Sequence, residues 1–355
     1  MTQENQCGIE NLSWPHPRIV TSEPIKVVGV GGFGNEMVDQ WIRCRGKHVG
    51  AVFIDADLDE LEQYSDRPTI KLQIADKKIS TPGEAQAAAE AAHQHIRQAL
   101  GGAQMVFIVS ALGGVTGSGA TAVVARIADE IGILTMCTFT YPHDKNPPFP
   151  RHFANNAANA EYGLVAIRQT RVTVNPLGEC RRTAFWGSES ERSQIDDCQD
   201  DIELYCARYS QSFHRIREEI SEGLTKFIAA VVEMVVVGFH CTDIEDLRYV
   251  MKRPGVARIG VSTFGGGKNR LKLAIKSATK DLQTDFEIEN ASAVFLAISG
   301  SANEISIGEQ SHALRLLRKK LHPEAHISYG YVCVPKLEDM LSVFVLAVGP
   351  NTSAS

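Results

Sequence analysis

No apolar run in the chain approaches the roughly 18 residues that cross a membrane as a helix. The first 23 residues are polar and lack the apolar stretch of a secretory signal, so 1–23 is expected to be a loose tail. The eight cysteines form no C-x-x-C pair and no zinc-finger spacing. That argues against a disulfide framework or a cysteine-bound metal, and for free thiols in a reducing, cytoplasmic setting. Positive charge is not in surplus either. The formal net charge is −6, whereas a nucleic-acid binder needs a basic face to neutralise phosphates. No internal repeat or low-complexity tract is present. What remains is 355 residues with 44% apolar content, a globular composition long enough for two domains.

What the chain does have is glycine at two particular places. The first follows the short strand Ile25-Lys26-Val27-Val28, reads G-V-G-G-F-G-N over 29–35, and leads into a helical run from Glu36 through Ile42. Gly29, Gly31 and Gly34 fit G-x-G-x-x-G, with Gly32 and Asn35 completing the segment. The next strand, Ala51-Val52-Phe53-Ile54, ends in Asp55 and Asp57, where the ribose-binding acid of a dinucleotide fold would fall. The second place follows Met105-Val106-Phe107-Ile108-Val109 and consists of Gly113, Gly114, Val115, Thr116, Gly117, Ser118 and Gly119, ahead of a helical run over 120–131. A strand that gives way to glycines and then to a helix presents free backbone N–H groups, which attract phosphates. Glycine lets the backbone approach the ligand, while Thr116 and Ser118 can donate hydrogen bonds or cap the helix. An ordinary capped turn needs fewer than four glycines in seven residues. A dinucleotide-dependent enzyme using Asp55 would explain the first turn and leave the second without a purpose.

Strand and helix segments alternate from Ile25 to about Val174, with Arg171-Val172-Thr173-Val174 as a further strand. This predicts an α/β fold with a doubly wound parallel sheet, covered by helices on both faces. The charged stretch 178–201 has no period and reads as a loop or insertion. Beyond it, Ile216, Ile220, Leu224, Phe227, Ile228, Val231 and Val235 recur at helical spacing and predict a long buried core helix. Helices over 243–251 and 268–279, with strands over 293–299, 327–334 and 341–348, predict a smaller C-terminal α/β domain. The expected division is a tail (1–23), a nucleotide-binding domain (24–204), the core helix (205–241), the C-terminal domain (242–349) and a short tail (350–355).

Two glycine cradles about 80 residues apart resemble those of the tubulin/FtsZ superfamily. Its signature is G-G-G-T-G-[ST]-G, which 113–119 matches except at Val115. The upstream turn resembles G-V-G-G-G-G-N with Phe33 replacing a glycine, and 120–135 resembles the helix and strand that follow the signature. The resemblance implies a GTP-binding cytoskeletal protein that takes GTP or GDP, with any Mg held alongside the nucleotide and no metal ligand from the protein. It also implies a head-to-tail homopolymer; the net charge and the lack of a long apolar run argue separately for no nucleic acid and no direct membrane insertion.

Residues 238–246 resemble that family's acidic synergy loop, with Cys241 at its asparagine position. The resemblance implies that Asp243 and Asp246 enter the nucleotide site of the next subunit and polarise the attacking water. In-line attack on a γ-phosphate needs such a carboxylate. The same two acids also read, with Glu245, as an ordinary helix cap. Further nucleotide contacts implied are Pro142, in a segment similar to T-R-P, Arg151, and Asn175 near the base. His214 falls near the position of the family's guanine-reading aspartate.

The departures matter as well. The stretch 75–83 has one glycine and carries Lys77 and Lys78, where the family keeps a glycine- and alanine-rich phosphate sensor. Val115 is β-branched and would be strained at positive φ. Val115 and Phe33 either enter the phosphate space or turn into the packing. Only 350–355 follow the last strand, without the linker and end peptide of division scaffolds, so the expectation is a paralogue with another cellular role. Three readings stay open: a polymer-forming GTPase, a diverged FtsZ-like protein with weak or absent hydrolysis that acts through partner contacts, and a dinucleotide-dependent enzyme.

Overall fold

A computed structural model describes residues 24–45, 49–64, 69–141, 151–168, 170, 173–179, 242–253, 256–265, 269–282, 287–300, 306–333 and 340–349. The expected core helix over 205–241, both tails and nearly all of the 178–201 insertion lie outside the described residues.

The first sheet has strands β1 (Ile25–Val30), β2 (Gly50–Asp55), β3 (Thr69–Gln73), β4 (Met105–Ala111), β5 (Leu134–Tyr141) and β6 (Thr173–Glu179). Their order is β3-β2-β1-β4-β5-β6, and every pairing is parallel. Parallel strands covered on both faces read as nearly unbroken apolar runs, as β1 and β4 do. Lys26 interrupts β1 without leaving a buried charge unpaired. Its Nζ donates to Ala99 O and Gly101 O, each at 2.8 Å, capping the C-terminal end of helix α4 (His93–Leu100).

Helix α1 (Gly31–Arg45) packs Met37, Val38 and Trp41 on one face of the sheet. Helices α3 (Pro82–Ala91), α4, α5 (Val115–Glu130) and α6 (Arg151–Arg168) contribute to the apolar cluster on the other face. Between β2 and β3 lies the short helix α2 (Leu58–Glu62). The sheet is doubly wound, as the alternation predicted. Two helices begin earlier than expected, α1 at Gly31 and α5 at Val115 rather than at Glu36 and Ala120. Glycine is tolerated there because the first N–H groups of a helix have no intrahelical partner to lose.

The second sheet consists of β7 (Val256–Phe264), β8 (Ala293–Gly300), β9 (His326–Cys333) and β10 (Leu341–Gly349), in the order β7-β10-β8-β9. Strand β10 runs antiparallel to β7 and β8, and β8 runs parallel to β9. Helices α8 (Arg270–Asp281) and α9 (Ile307–Arg318) cover one face, with Leu271, Ala274, Ile275, Ala313 and Leu317 in its cluster. Residues of the other face, including Ala257, Ile259, Phe295 and Phe344, share a cluster with Ile25, Met37 and Trp41 of the first sheet. Helix α7 (Ile244–Met251) joins the same cluster through Leu247, Val250 and Met251. Strand β7 and helix α9 were not expected from the sequence.

Candidate nucleotide site

Strands β1 and β4 are central neighbours, and the chain leaves them toward β2 on one side and β5 on the other. Open α/β sheets bind ligands at such a switch point, beyond the carboxyl ends of the strands. Both glycine-rich junctions sit there. They touch: a Cβ on Gly31, whose φ is +77°, would lie 3.0 Å from Gly117 N.

The glycines fall into two groups. A Cβ would meet Asn35 Cα at 2.6 Å from Gly29, Val109 O at 2.2 Å from Gly34, Ala111 O at 2.4 Å from Gly117 and Pro82 O at 2.1 Å from Gly119. These glycines are required by the packing of helix against strand and helix against helix. Gly32 and Gly114 are different. Both are exposed, a Cβ on Gly32 would meet nothing within 4 Å, and one on Gly114 would come only to 4.0 Å from Ala111 O. They form the open lip of the cradle, with the N-terminal ends of α1 and α5 directed into it. Free N–H groups and the positive ends of two helix dipoles together favour an anion.

Side chains hold this backbone in place. Asn35 is fully buried and donates from Nδ2 to Ile54 O at 3.1 Å and to Asp55 Oδ2 at 3.3 Å, while Oδ1 accepts from Ile54 N at 3.2 Å. Asp55, only 4% exposed, also accepts from Ala56 N at 2.7 Å and Thr116 Oγ1 at 3.3 Å. It is a strut joining α1, β2 and α5. Burial pushes its pKa above the ordinary carboxylate value, against the opposing effect of its hydrogen bonds. A carboxylate engaged in this way is not presented to a ribose, which counts against the dinucleotide reading. Asp57 caps α2, accepting from Asp59 N at 3.0 Å.

At the second junction, Ser118 Oγ accepts from Gly113 N at 2.8 Å, and Thr121 Oγ1 donates to Gly117 O at 2.6 Å. Val115 is the first helical residue of α5 and does not have positive φ, so the anticipated strain does not arise. Phe33 turns into the packing, against the cluster that holds Met37 and Trp41.

Two residues were missed from the sequence. Tyr64 donates from its hydroxyl to Gly32 O at 3.1 Å, and its ring lies 5.2 Å from that of Phe53. Burial, with Glu60, Asp55 and Asp39 nearby, pushes its pKa up to about 12. Asn159 of α6 donates to Gly113 O at 3.0 Å. Both arrive from distant parts of the chain, and no local motif marks them. Lys77 and Lys78 are exposed. Arg151 opens α6 and Asn175 pairs with Thr138 in β6, with only their backbone described. Pro142 and His214 lie outside the described residues.

Asp243 and Asp246 form a capping box at the start of α7. Asp243 Oδ1 accepts from Glu245 N at 2.9 Å and Asp246 N at 3.3 Å, while Asp246 Oδ2 accepts from Asp243 N at 3.1 Å and Thr242 Oγ1 at 3.0 Å. The capping expectation holds. The structure does not bring these acids to the cradle. Arg248, one turn on, donates to Gly132 O at 3.1 Å, just past the C-terminal end of α5. The cradle lies at the other end of that 16-residue helix, about 24 Å away at 1.5 Å per residue. Among the described residues, no three or more His, Cys, Asp or Glu side chains converge to hold a metal.

A parallel sheet with two glycine-rich helix starts at its switch point defines a phosphate-binding α/β protein. The model described as "Tubulin/FtsZ family, GTPase domain" matches residues 24–160, and "FtsZ family, C-terminal domain" matches residues 255–351. The chain belongs to the tubulin/FtsZ family, as a diverged FtsZ-like member whose GTPase domain implies guanine-nucleotide binding. Cell division protein FtsZ 1 of Thermococcus kodakarensis is 27% identical over 339 residues, 93% of this chain and 82% of that protein. Cell division protein FtsZ of Mycoplasmopsis pulmonis is 26% identical over 338 residues, 94% of this chain and 79% of its own length. Among solved structures, an empty FtsZ dimer of M. jannaschii superimposes with a TM-score of 0.65 at 23% identity, over 92% of this chain and 88% of its own. The GDP-bound CetZ1 monomer of Haloferax volcanii gives 0.68 at 15% identity, over 93% and 95%. At those identities the two structures speak for the fold alone. Among the described residues no helix is long and apolar enough to cross a membrane.

Proposed function

We propose that this protein binds GTP across the Gly29–Asn35 and Gly113–Gly119 junctions and hydrolyses it when a second copy delivers Asp243 and Asp246. The observation that carries the proposal is the distance between the two parts. The cradle and the acids lie at opposite ends of α5, so the acids of one chain cannot serve its own cradle. A neighbour stacked head to tail supplies what is missing. Such a contact uses two different surfaces and does not close on itself, so a filament follows.

In this reading the phosphates lie against the N-terminal ends of α1 and α5, next to Gly32 and Gly114. Asp243 or Asp246 positions a water in line with the γ-phosphate. A magnesium ion would be carried by the phosphates, with no ligand from the protein. Arg151 reaches the phosphates, while Pro142, Asn175 and His214 approach the sugar and base. His214 rejects adenine less strictly than a carboxylate would, because it does not satisfy both guanine donors. The chain divides into a nucleotide-binding domain over 24–204, a core helix over 205–241 and a C-terminal domain over 242–349, and it works in the cytoplasm.

Pelleting and hydrolysis assays with GTP and ATP side by side, over a range of protein concentrations, test this. Pelleting should require GTP, and activity per molecule should rise with concentration. A rate per molecule independent of concentration would overturn the proposal.

A further inference from the structure

Helices α8 and α9 lie side by side on the face of the second sheet turned away from the first. They start at the same end, because Leu341 of β10 pairs with both Phe264, ahead of α8, and Gly300, ahead of α9. They also finish together, since Lys320 Nζ, just past α9, donates to Thr279 Oγ1 of α8 at 3.3 Å. Residues 270–280 and 310–320 hold eight lysines and arginines and no acid, in a chain whose formal net charge is −6. The acids that flank these stretches, Asp281, Glu287, Glu289, Glu309 and Glu324, sit at or beyond the helix ends.

Helix stability does not account for this charge. Lys280 of α8, with Arg315 and Lys319 at the end of α9, suits the helix dipole. Lys272 does not, because it stands in the first turn of α8, where a cation is unfavourable. Lys272, Lys276 and Lys280 are all exposed and recur at i, i+4 and i+8, so they repel one another along one face. Among the described residues none of the three is ion-paired. Exposed apolar side chains accompany them: Leu273 at 47%, Ile307 at 80% and Met340 at 41%. All three lie toward the end where the two helices begin.

We infer that this face of α8 and α9 docks on the surface of an anionic lipid membrane. The lysines meet the headgroups, which relieves their mutual repulsion, and Leu273, Ile307 and Met340 dip into the acyl boundary. No helix crosses the bilayer. An acidic peptide would meet the cations and leave the apolar tips in water, whereas a lipid surface takes both. The face shares no residue with the glycine cradle or with the Asp243/Asp246 cap, so the inference stands apart from the proposed hydrolysis.

The test floats full-length protein with GDP on a density gradient with vesicles of equal parts phosphatidylserine and phosphatidylcholine, and with phosphatidylcholine alone. The protein should float with the anionic vesicles only, and high salt should release it. Lys276→Glu should weaken vesicle binding roughly thirtyfold, because a charge reversal counts as two cations. The same change should raise the urea midpoint, since the new carboxylate pairs with Lys272 and Lys280. Binding lost while stability is gained separates docking from a structural role. Leu273→Ser should weaken vesicle binding several-fold, and nucleotide retention should be unchanged in both variants. Equal flotation of wild type and Lys276→Glu, or equal flotation with phosphatidylcholine alone, would overturn the inference. So would an absence of binding to the anionic vesicles, including the case in which polyglutamate or duplex DNA is captured instead.

Discussion

At the cradle end the groups that would meet a ligand are backbone N–H groups, and the side chains of Asn35, Asp55, Ser118 and Asn159 hold that backbone in place. At the α7 end the arrangement is reversed. There the carboxylates of Asp243 and Asp246 are the candidate working groups, and backbone N–H groups hold them. The difference bears on tolerance to change. A site made of backbone depends on close packing, so adding a methyl group in the wrong place breaks the fold before it breaks binding. A site made of capped side chains can lose its charge while keeping its shape.

The largest effect should come from Gly34→Ala, whose new Cβ would lie 2.2 Å from Val109 O. We expect a loss of about 3 kcal/mol from the overpacked junction, read as a lower urea midpoint. Next, Asp243→Ala should cost about 1 kcal/mol through the lost cap and abolish hydrolysis while nucleotide is retained. Asp243→Asn separates the two roles, since asparagine caps nearly as well but lacks the charge. Hydrolysis should fall with stability unchanged, and equal losses in both would mark the residue as a cap alone.

A smaller effect concerns pH. Asp55 has its folded pKa raised by burial above the 3.8 of an unperturbed aspartate, so the folded chain binds the proton more tightly than the unfolded one. Its contribution to stability is present below that value and lost as pH rises through the folded midpoint. Urea midpoints of wild type and Asp55→Asn, compared from pH 3.8 upward, should therefore diverge with the wild type losing ground. The smallest change in stability belongs to Gly114→Ala, within about 0.5 kcal/mol, because a Cβ there would come no closer than 4.0 Å to Ala111 O, an ordinary contact. Nucleotide retention should nevertheless drop. Gly117→Ala should instead lower the unfolding midpoint.

The central strands, both glycine junctions and the Asp243/Asp246 cap were legible in the sequence because each carries a strong local signal: apolar runs, clustered glycines, and acids spaced for a capping box. Strand β7 was not, because Gly260 breaks its pattern. A Cβ on Gly260 would come 1.9 Å from Ala278 O of α8, a contact invisible in the local sequence. Helix α9 escaped notice because its buried stripe is only Gln310, Ala313 and Leu317, although the Ser306/Glu309 capping box was there to be found. At the site, Asn35 and Asp55 were read as ligand contacts, and their link to each other emerged only from the fold. Tyr64 and Asn159 reach the cradle from elements that the sequence cannot place beside it.

The split between packed and open glycines also says where this protein has room for a new side chain. Its two departures from the family's glycine pattern, Phe33 and Val115, each come immediately after an open position, Gly32 and Gly114. Val115 stands beside the open Gly114, whereas Phe33, next to the open Gly32, is turned into the apolar cluster. Gly29, Gly34, Gly117 and Gly119, which press on backbone, are all kept. Anyone redesigning the ligand preference of this protein has a short list of editable positions, and it begins at 32, 114 and 115.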